Sequence, residues 1–149
     1  MFPLPEPMRR ALDAARAAGD AGEVPVGAAV VQAGRIVATA ANAPRALHDP
    51  TAHAEMLAIR AAAAALGDDR LAECDLWVTL EPCAMCAGAI ALARIARVYY
   101  GASDAKGGAV EHGPRLFAQP TCHHRPELFS GIGEIESARL LREFFATRR

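Results

Sequence analysis

The sequence lacks a clear excess of charge of either sign, a basic leader segment and any apolar run long enough to cross a bilayer. Its 16 basic and 17 acidic residues nearly cancel. This balance excludes the polycationic surface that binds nucleic acids in bulk, so an RNA partner would have to be held by local contacts. Residues 1–7 have neither the basic start nor the apolar core of a signal peptide. We therefore expect a cytoplasmic protein with no membrane partner.

Cysteine is scarce, and the chain is short. The four cysteines are Cys74, Cys83, Cys86 and Cys122. In a reducing compartment such cysteines are better explained as thiols or metal ligands than as disulfides. The 149 residues, 52% of them apolar, are enough for one globular core but few for two. We therefore predict a single domain over residues 1–149.

What is present is an alternation of helical and extended patterns. The patterns predict helices over 8–18, over 52–66, from Pro82 and from about residue 133, and strands over 24–31, 35–40, 76–80 and 98–101. Thr51 is the expected cap of the second helix, and Ile135, Ala138, Leu141 and Phe145 form an apolar face on the last one. Residues 102–126 are expected to be irregular. The alternation predicts an α/β fold, with one mixed sheet in a three-layer α/β/α domain.

Two cysteines and a histidine stand at the starts of predicted helices. In Pro82-Cys83-Ala84-Met85-Cys86 the two cysteines are three residues apart, so both sulfurs face the same side of the first helical turn. His53 opens another helix and supplies a nitrogen. One imidazole and two thiolates suit zinc, and three protein ligands leave a position open for water. The pattern predicts a catalytic Zn²⁺ site.

Glu55 follows His53 by two residues, and side chains two apart on a helix do not face each other. It is therefore expected to act beside the metal and not on it, by taking a proton from the activated water and passing it to the substrate.

Two other interpretations of the cysteine pair stay open. A lone C-x-x-C also occurs in redox proteins, although His53 and Glu55 would then have no role. A closed structural zinc site is the stronger alternative. Its fourth ligand would be Cys74, Cys122, His48, His112, His123 or His124.

The pairing of His53-Ala54-Glu55 with Pro82-Cys83-Ala84-Met85-Cys86 resembles the signature of zinc-dependent nucleobase deaminases. Segments 23–31, 48–60, 76–90 and 104–106 closely resemble bacterial tRNA adenosine deaminases. The likeness covers most of the chain. It implies a cytidine deaminase-like domain, a homodimer, and conversion of the wobble adenosine of a tRNA anticodon loop to inosine.

The resemblance also implies roles for particular residues. Zinc would be held by His53, Cys83 and Cys86, and Glu55 would carry protons to a flipped adenine. The candidate substrate contacts are Asn42, Asp104, Lys106, His124, Arg125, Phe145 and Arg148, with Phe144 and Arg149 also in the terminal helix. Core packing is the alternative for the phenylalanines, and a turn is the alternative for Asn42.

Fewer sequence features support the substrate than support the deaminase chemistry, because residues 107–126 depart from the family pattern. The first alternative function is deamination of a free base or nucleoside, such as guanine, cytosine or cytidine. The second alternative is a non-catalytic, zinc-stabilised binding module, in which Glu55 would have no functional role.

Overall fold

The computed structural model describes residues 3–148, so Arg149 lies outside the described residues. The helices are α1 (Glu6–Asp20), α2 (Pro44–Leu47), α3 (Ala54–Leu66), α4 (Ala84–Ala93) and α5 (Glu134–Ala146). The strands are β1 (Gly27–Gln32), β2 (Arg35–Ala41), β3 (Cys74–Leu80), β4 (Arg97–Ala102) and β5 (Glu127–Phe129). None of the helices within residues 3–148 has the length and apolar character needed to span a bilayer.

The strands form one mixed sheet in the order β2-β1-β3-β4-β5. Strand β1 is antiparallel to both β2 and β3, whereas β3, β4 and β5 run parallel. The β1–β2 turn is the predicted Ala33-Gly34, with φ angles of 51° and 78°. Positive φ at both central residues is the geometry of the tight turns that join twisted antiparallel strands.

Helices cover both faces of the sheet. Alternate residues of β3 point to opposite layers. Leu76 and Val78 belong to the core formed with α3 and α4, whereas Trp77, like Leu140 of α5, packs against the α1 cluster of Met8, Ala11 and Leu12. The predicted three-layer α/β/α class is therefore confirmed.

Strand β1 begins three residues later than predicted, at Gly27. A Cβ on Gly27 would lie 1.9 Å from the carbonyl oxygen of Ala11. Helix α1 therefore packs directly against the backbone of the strand at this point, and the position admits no side chain.

The prediction that Thr51 caps the second helix is wrong. Helix α3 begins at Ala54, and its N-cap residue is His53. The Thr51 hydroxyl instead donates to Oδ1 of Asp49, 2.7 Å away, which also accepts from the Thr51 backbone N–H. This local turn holds Thr51 outside the helix.

Four further features differ from the expectations. The polar loop after β2 contains the one-turn helix α2, and a fifth strand, β5, pairs beside β4. Residues 103–126 are irregular as predicted, apart from a short 3₁₀ turn over Leu116–Ala118. The expected apolar face of α5 is only partly packed, because Ile135 is 79% exposed and Phe145 is 52% exposed.

Candidate active site

Three metal-binding side chains meet where α3 and α4 begin. His53 and Cys83 are the N-cap residues of the two helices and have extended backbones, and Cys86 lies one turn into α4. Their ligand atoms all lie within 4.8 Å of one another. The extended β3 strand followed by Pro82 sets the direction of α4, and this brings both sulfurs toward His53.

The spacing of these atoms fits zinc. Nδ1 of His53 lies 3.6 Å from Sγ of Cys83 and 3.6 Å from Sγ of Cys86. Zinc bonds of about 2.1 Å to nitrogen and about 2.3 Å to sulfur, at tetrahedral angles, require a nitrogen–sulfur separation of about 3.6 Å. The donor set and its geometry therefore match a tetrahedral Zn²⁺ ion with one position left for a non-protein ligand.

The two sulfurs differ in their surroundings. A hydrogen bond from the Cys86 thiol lowers the pKa of Cys83 to about 5, against the opposing effect of burial. The Cys86 pKa is raised, because the neighbouring Cys83 sulfur and burial both favour its thiol form. Cys83 also stands at a helix N-terminus, where the helix dipole favours an anion. Both the hydrogen bond and the helix dipole therefore favour the thiolate form of Cys83, which is the form that binds zinc.

The other cysteines do not join the group. In residues 3–148 the metal-binding cluster consists of His53, Cys83 and Cys86. Sγ of Cys122 donates to the carbonyl oxygen of His124 at 3.2 Å, and Cys74 is the first residue of β3 and is buried in the core. Nothing in this arrangement supplies the fourth protein ligand that a closed structural site needs.

Glu55 lies in the first turn of α3 and is buried, with 4% of its surface exposed. Burial raises the pKa of its carboxyl group to about 7, and the neighbouring side chains that influence this pKa are Cys83, His53 and Cys86. Burial of a carboxyl group costs folding free energy, so this position is a costly one for the fold. A carboxyl group beside the metal donors can hold or release a proton near neutral pH.

Asn42 lies next to this group at the end of β2. Its Oδ1 accepts a hydrogen bond from the backbone N–H of Ala54 at 3.3 Å, and its own N–H donates to Val26. Ala54 follows His53 directly, so Asn42 fixes the start of α3. The structure thus gives Asn42 a structural contact at the site, and its contact with substrate stays a prediction.

Asp104 and Lys106 lie in the irregular segment after β4. Oδ1 of Asp104 accepts from the backbone N–H groups of Lys106 and Gly107, at 3.1 and 2.9 Å. This turn leaves Lys106 exposed to solvent. The backbone N–H of Asp104 donates in turn to Glu81, the residue two before Cys83.

Glu81 is the site residue that sequence reasoning missed. It is 2% exposed, and its carboxylate accepts hydrogen bonds from the segment after β4. Burial would raise its pKa, but the N–H of Asp104, the ring of His112 and further backbone amides together hold that pKa below its usual value. The available signal was a charged residue immediately after the apolar strand β3.

His124 and Arg125 are engaged away from the metal donors. Nε2 of His124 lies 2.6 Å from the carbonyl oxygen of Ile95, and Arg125 donates to the carbonyl oxygen of Gln119 at 3.1 Å. The His124 contact ties residues 119–125 to the body of the fold, and the Arg125 contact closes the segment on itself. The structure gives His124 and Arg125 packing roles, and their contacts with substrate stay predictions.

Phe145 and Arg148 lie at the end of α5. The Arg148 guanidinium stacks 3.8 Å from the ring centroid of Phe144, whose ring meets Phe145 edge-on. A cleft of about 670 Å³ between α1 and α5 is lined by Phe144, Arg148, Arg16 and other residues, but by none of the metal-binding residues. The structure therefore does not place the end of α5 within the metal group.

Comparison with known families agrees with this fold and site. The cytidine and deoxycytidylate deaminase zinc-binding region matches residues 4–102, which contain the three metal-binding residues and Glu55. The fold and the site thus define a zinc-dependent deaminase, an enzyme that uses a Zn²⁺ cofactor.

Similarity to individual proteins identifies the family within this class of deaminases. The tRNA-specific adenosine deaminase of Agrobacterium fabrum is 58% identical over 142 residues, which cover 95% of this chain and 93% of the relative. The chain belongs to the tRNA-specific adenosine deaminase family. A solved structure from studies of A-to-I editing by tRNA:A34 deaminases is 58% identical, with a TM-score of 0.90, covering 91% of this chain and 98% of that one.

A more distant solved structure is also similar. The guanine deaminase of Bacillus subtilis is 35% identical, with a TM-score of 0.65, over 95% of this chain and 91% of that one. The same architecture therefore also occurs in an enzyme with a free purine base as substrate.

Proposed function

We propose that this protein hydrolyses the wobble adenosine of a tRNA anticodon to inosine and ammonia. The observation that carries the proposal is the three-donor group with a buried Glu55 beside it, at the meeting point of α3 and α4. The substrate follows from the relatives, which are named tRNA-specific adenosine deaminases at identities up to 58%. Because tRNA is modified and used in the cytoplasm, we place the enzyme there.

His53, Cys83 and Cys86 would hold the zinc ion. When bound, zinc supplies the Lewis acid that makes a water molecule nucleophilic near neutral pH. Glu55 would take one proton from the attacking water and deliver it to the ring nitrogen of adenine beside C6, as the water oxygen bonds to C6. Glu55 would then move the remaining proton of that oxygen to the amino group, and the C6–N bond would break to release ammonia and leave the carbonyl group of inosine.

The burial of Glu55 serves this proton transfer. A carboxyl group shielded from solvent exchanges its proton with the substrate in preference to bulk water. Asn42 fixes the first residue of α3 through Ala54, so it holds the helix that carries Glu55 in register with the metal group. Its side-chain amide is also the proposed contact to the flipped nucleotide.

A single-stranded anticodon loop suits this site because its bases can be turned outward and read at their edges. The protein carries no large excess of positive charge, so recognition would rest on a few cations such as Lys106 and Arg148. These two residues lie on different elements and both are exposed.

The protein is proposed to act as a homodimer, as its resemblance to the family implies. An apolar surface on α4 supports this state. Leu92 is 77% exposed and lies in a groove with Leu116 and Cys122. An exposed apolar patch of this kind is typical of an interface.

Light scattering tests the dimer. The unaltered protein should have twice the mass of one chain, and Leu92→Glu should have the mass of one chain. A single-chain mass for the unaltered protein would refute the dimer.

The direct test is an assay of inosine formation in anticodon stem-loops. A stem-loop with adenosine at the wobble position should be converted, whereas one with adenosine moved to a neighbouring loop position should not. Free adenosine, guanine and cytidine serve as competing substrates in the same assay. Equal efficiency on free adenosine and on the stem-loop would refute the tRNA substrate.

The second candidate function is deamination of free guanine. It is favoured by the guanine deaminase of Bacillus subtilis, at 35% identity, and by the departure of residues 107–126 from the family pattern. Rapid release of ammonia from guanine, without inosine in the stem-loop, would establish this alternative.

A further inference from the structure

Glu81 is a buried carboxylate that does not belong to the metal group. Its side chain is fully shielded, and it stands directly after β3 and two residues before Cys83. A buried carboxylate is costly unless its oxygens accept hydrogen bonds. The donors that satisfy this one indicate what it does.

All of those donors come from residues 104–112, which we call the mouth segment. Oε1 accepts from the backbone N–H of Asp104 at 2.9 Å and from Nδ1 of His112 at 2.8 Å; Oε2 accepts from the backbone N–H groups of Val110, Glu111 and His112 at 3.1, 2.9 and 3.1 Å. The carboxylate therefore joins the two ends of the mouth segment at one point. Its donors lie 23 to 31 residues away along the chain.

The middle of the mouth segment is also held against the start of α4. The backbone N–H of Ala109 donates to the carbonyl oxygen of Pro82 at 2.9 Å. A Cβ on Gly108 would lie 2.4 Å from Oε2 of Glu81 and 2.5 Å from the carbonyl oxygen of Asp104. The segment thus crosses the residues before Cys83 at a distance that admits no side chain at position 108.

This tether determines where Lys106 stands. Asp104 is held by Glu81 through its backbone, and its own Oδ1 receives the N–H groups of Lys106 and Gly107. An unbroken run of hydrogen bonds therefore leads from the β3–α4 junction to the backbone of Lys106, whose side chain is exposed. Both carboxylate oxygens of Glu81 are occupied by donors of the mouth segment.

We propose that Glu81 is a positioning residue for substrate recognition: it fixes the mouth segment to the metal-bearing junction, so that Lys106 meets the RNA backbone while the base enters the site. This inference rests on the proposed tRNA substrate. It assigns to the unusual residues 107–112 the role of wrapping the carboxylate. Glu81 itself touches neither the substrate nor the reacting atoms.

Glu81→Gln tests the proposal with little change of shape. Glutamine keeps one acceptor oxygen, but its NH₂ group would point either toward the N–H of Asp104 or toward the N–H groups of residues 110–112. Two hydrogen-bond donors would then face each other, and the hydrogen bonds on that side would be lost. Hydrogen exchange at the amides of Val110, Glu111 and His112 should become faster. KM for the stem-loop should rise about tenfold, equivalent to about 1.4 kcal/mol of binding, with kcat and zinc content close to those of the unaltered protein.

Two further variants separate positioning from general stability. Gly108→Ala pushes the mouth segment off the carboxylate from the other side, and it should reproduce the rise in KM. Ser137→Ala is the matched control, because it removes another buried hydrogen bond, to the N–H of Ala102 at 3.0 Å, without touching the mouth segment. It should lower the melting temperature and leave KM unchanged.

The proposal and the proposed function fail in different ways. Unchanged amide exchange in Glu81→Gln would overturn the tether, whatever the substrate. A loss of zinc or of kcat with KM unchanged would overturn the positioning role and place Glu81 in support of the metal site instead. If the unaltered protein formed no inosine in the stem-loop, the tRNA part of this inference would fall together with the proposed function.

Discussion

The helix starts at the metal group and the last helix, α5, are built in opposite ways. Cys86 is fully buried and Glu55 is 4% exposed, whereas Ile135 and Phe145 of α5 are 79% and 52% exposed. Two chain segments converge on the metal group, whereas α5 is held to α1 in part by the surface ion pair between Arg16 and Glu136. The chemical step therefore depends on a buried junction, whereas the candidate RNA contacts at the end of α5 lie on the surface. Substitutions in the two regions should therefore change different quantities.

The largest effect is expected at the metal ligands. Cys86→Ser should lose bound zinc, and turnover should fall to the background of the assay, because serine is a poor ligand for this soft site. Cys122→Ser is the matched control, since the Cys122 thiol donates its hydrogen bond to the carbonyl oxygen of His124 and lies outside the metal-binding group. Metal analysis and inosine formation measure both. Zinc loss from Cys122→Ser would mean a closed structural site.

Removal of the proton carrier should leave the metal in place. Glu55→Gln keeps the shape of the side chain, so fold and zinc content should persist while kcat falls by ~10²-fold or more. Glu127→Gln, on the exposed edge strand β5, should leave kcat unchanged. Turnover near the normal rate in Glu55→Gln would remove Glu55 from the mechanism.

Charge removal outside the buried junction should act on binding alone. Lys106→Ala and Arg148→Ala should each weaken stem-loop binding and lower the slope of log affinity against log salt by about 1, since fewer counterions are released. Zinc content and kcat should not change. Arg70→Ala is a suitable control because Arg70 lies beyond the far end of α3 from His53. Equal effects of all three substitutions would indicate only general attraction to RNA.

The smallest effect is expected at the ion pair that ties α5 to α1. Glu136 accepts from Arg16 at 2.8 Å. Partial burial raises the Glu136 pKa, but the hydrogen bond from Arg16 and the charge of Arg139 outweigh it, so the pKa is lowered overall. A lowered folded-state pKa stabilises the protein above the unfolded pKa, and this stability disappears as pH falls through the folded value.

Glu136→Gln should therefore cost at most about 1 kcal/mol at pH 7, because both side chains are partly exposed. The difference from the unaltered protein should vanish at a pH below the folded-state pKa of Glu136. Denaturant unfolding at several pH values measures it. A cost that stayed constant into acid would mean that packing, and not the ion pair, is responsible.

The metal group could be predicted from the sequence because its residues lie at or near the first residues of two helices, and local sequence patterns indicate where those helices begin. Pro82 before the two cysteines, and His53 before an alanine-rich run, specify both the helix and the face of the ligands. The three-layer class followed from the order of strands and helices in the same way. The role of Thr51 was not predicted correctly, because its hydroxyl donates to Asp49 and the helix begins two residues later than expected, at Ala54.

Other features depend on contacts that no local pattern contains. The partners of Glu81 lie 23 to 31 residues away, so its role appears only when the mouth segment folds back over the β3–α4 junction. The apolar spacing of α5 correctly predicted a helix, but periodicity does not say whether a face is covered. Ile135 and Phe145 lie on the apolar face that the sequence predicted, and the structure leaves both of them exposed.

The central claim is that His53, Cys83 and Cys86 form an open zinc site. X-ray absorption at the zinc edge of the purified protein tests it most directly. The account predicts two sulfur neighbours and two lighter neighbours, one of them a single imidazole, with distances near those of tetrahedral zinc. A third sulfur or a second imidazole would mean that a fourth residue of the protein closes the site, and this result would contradict the account.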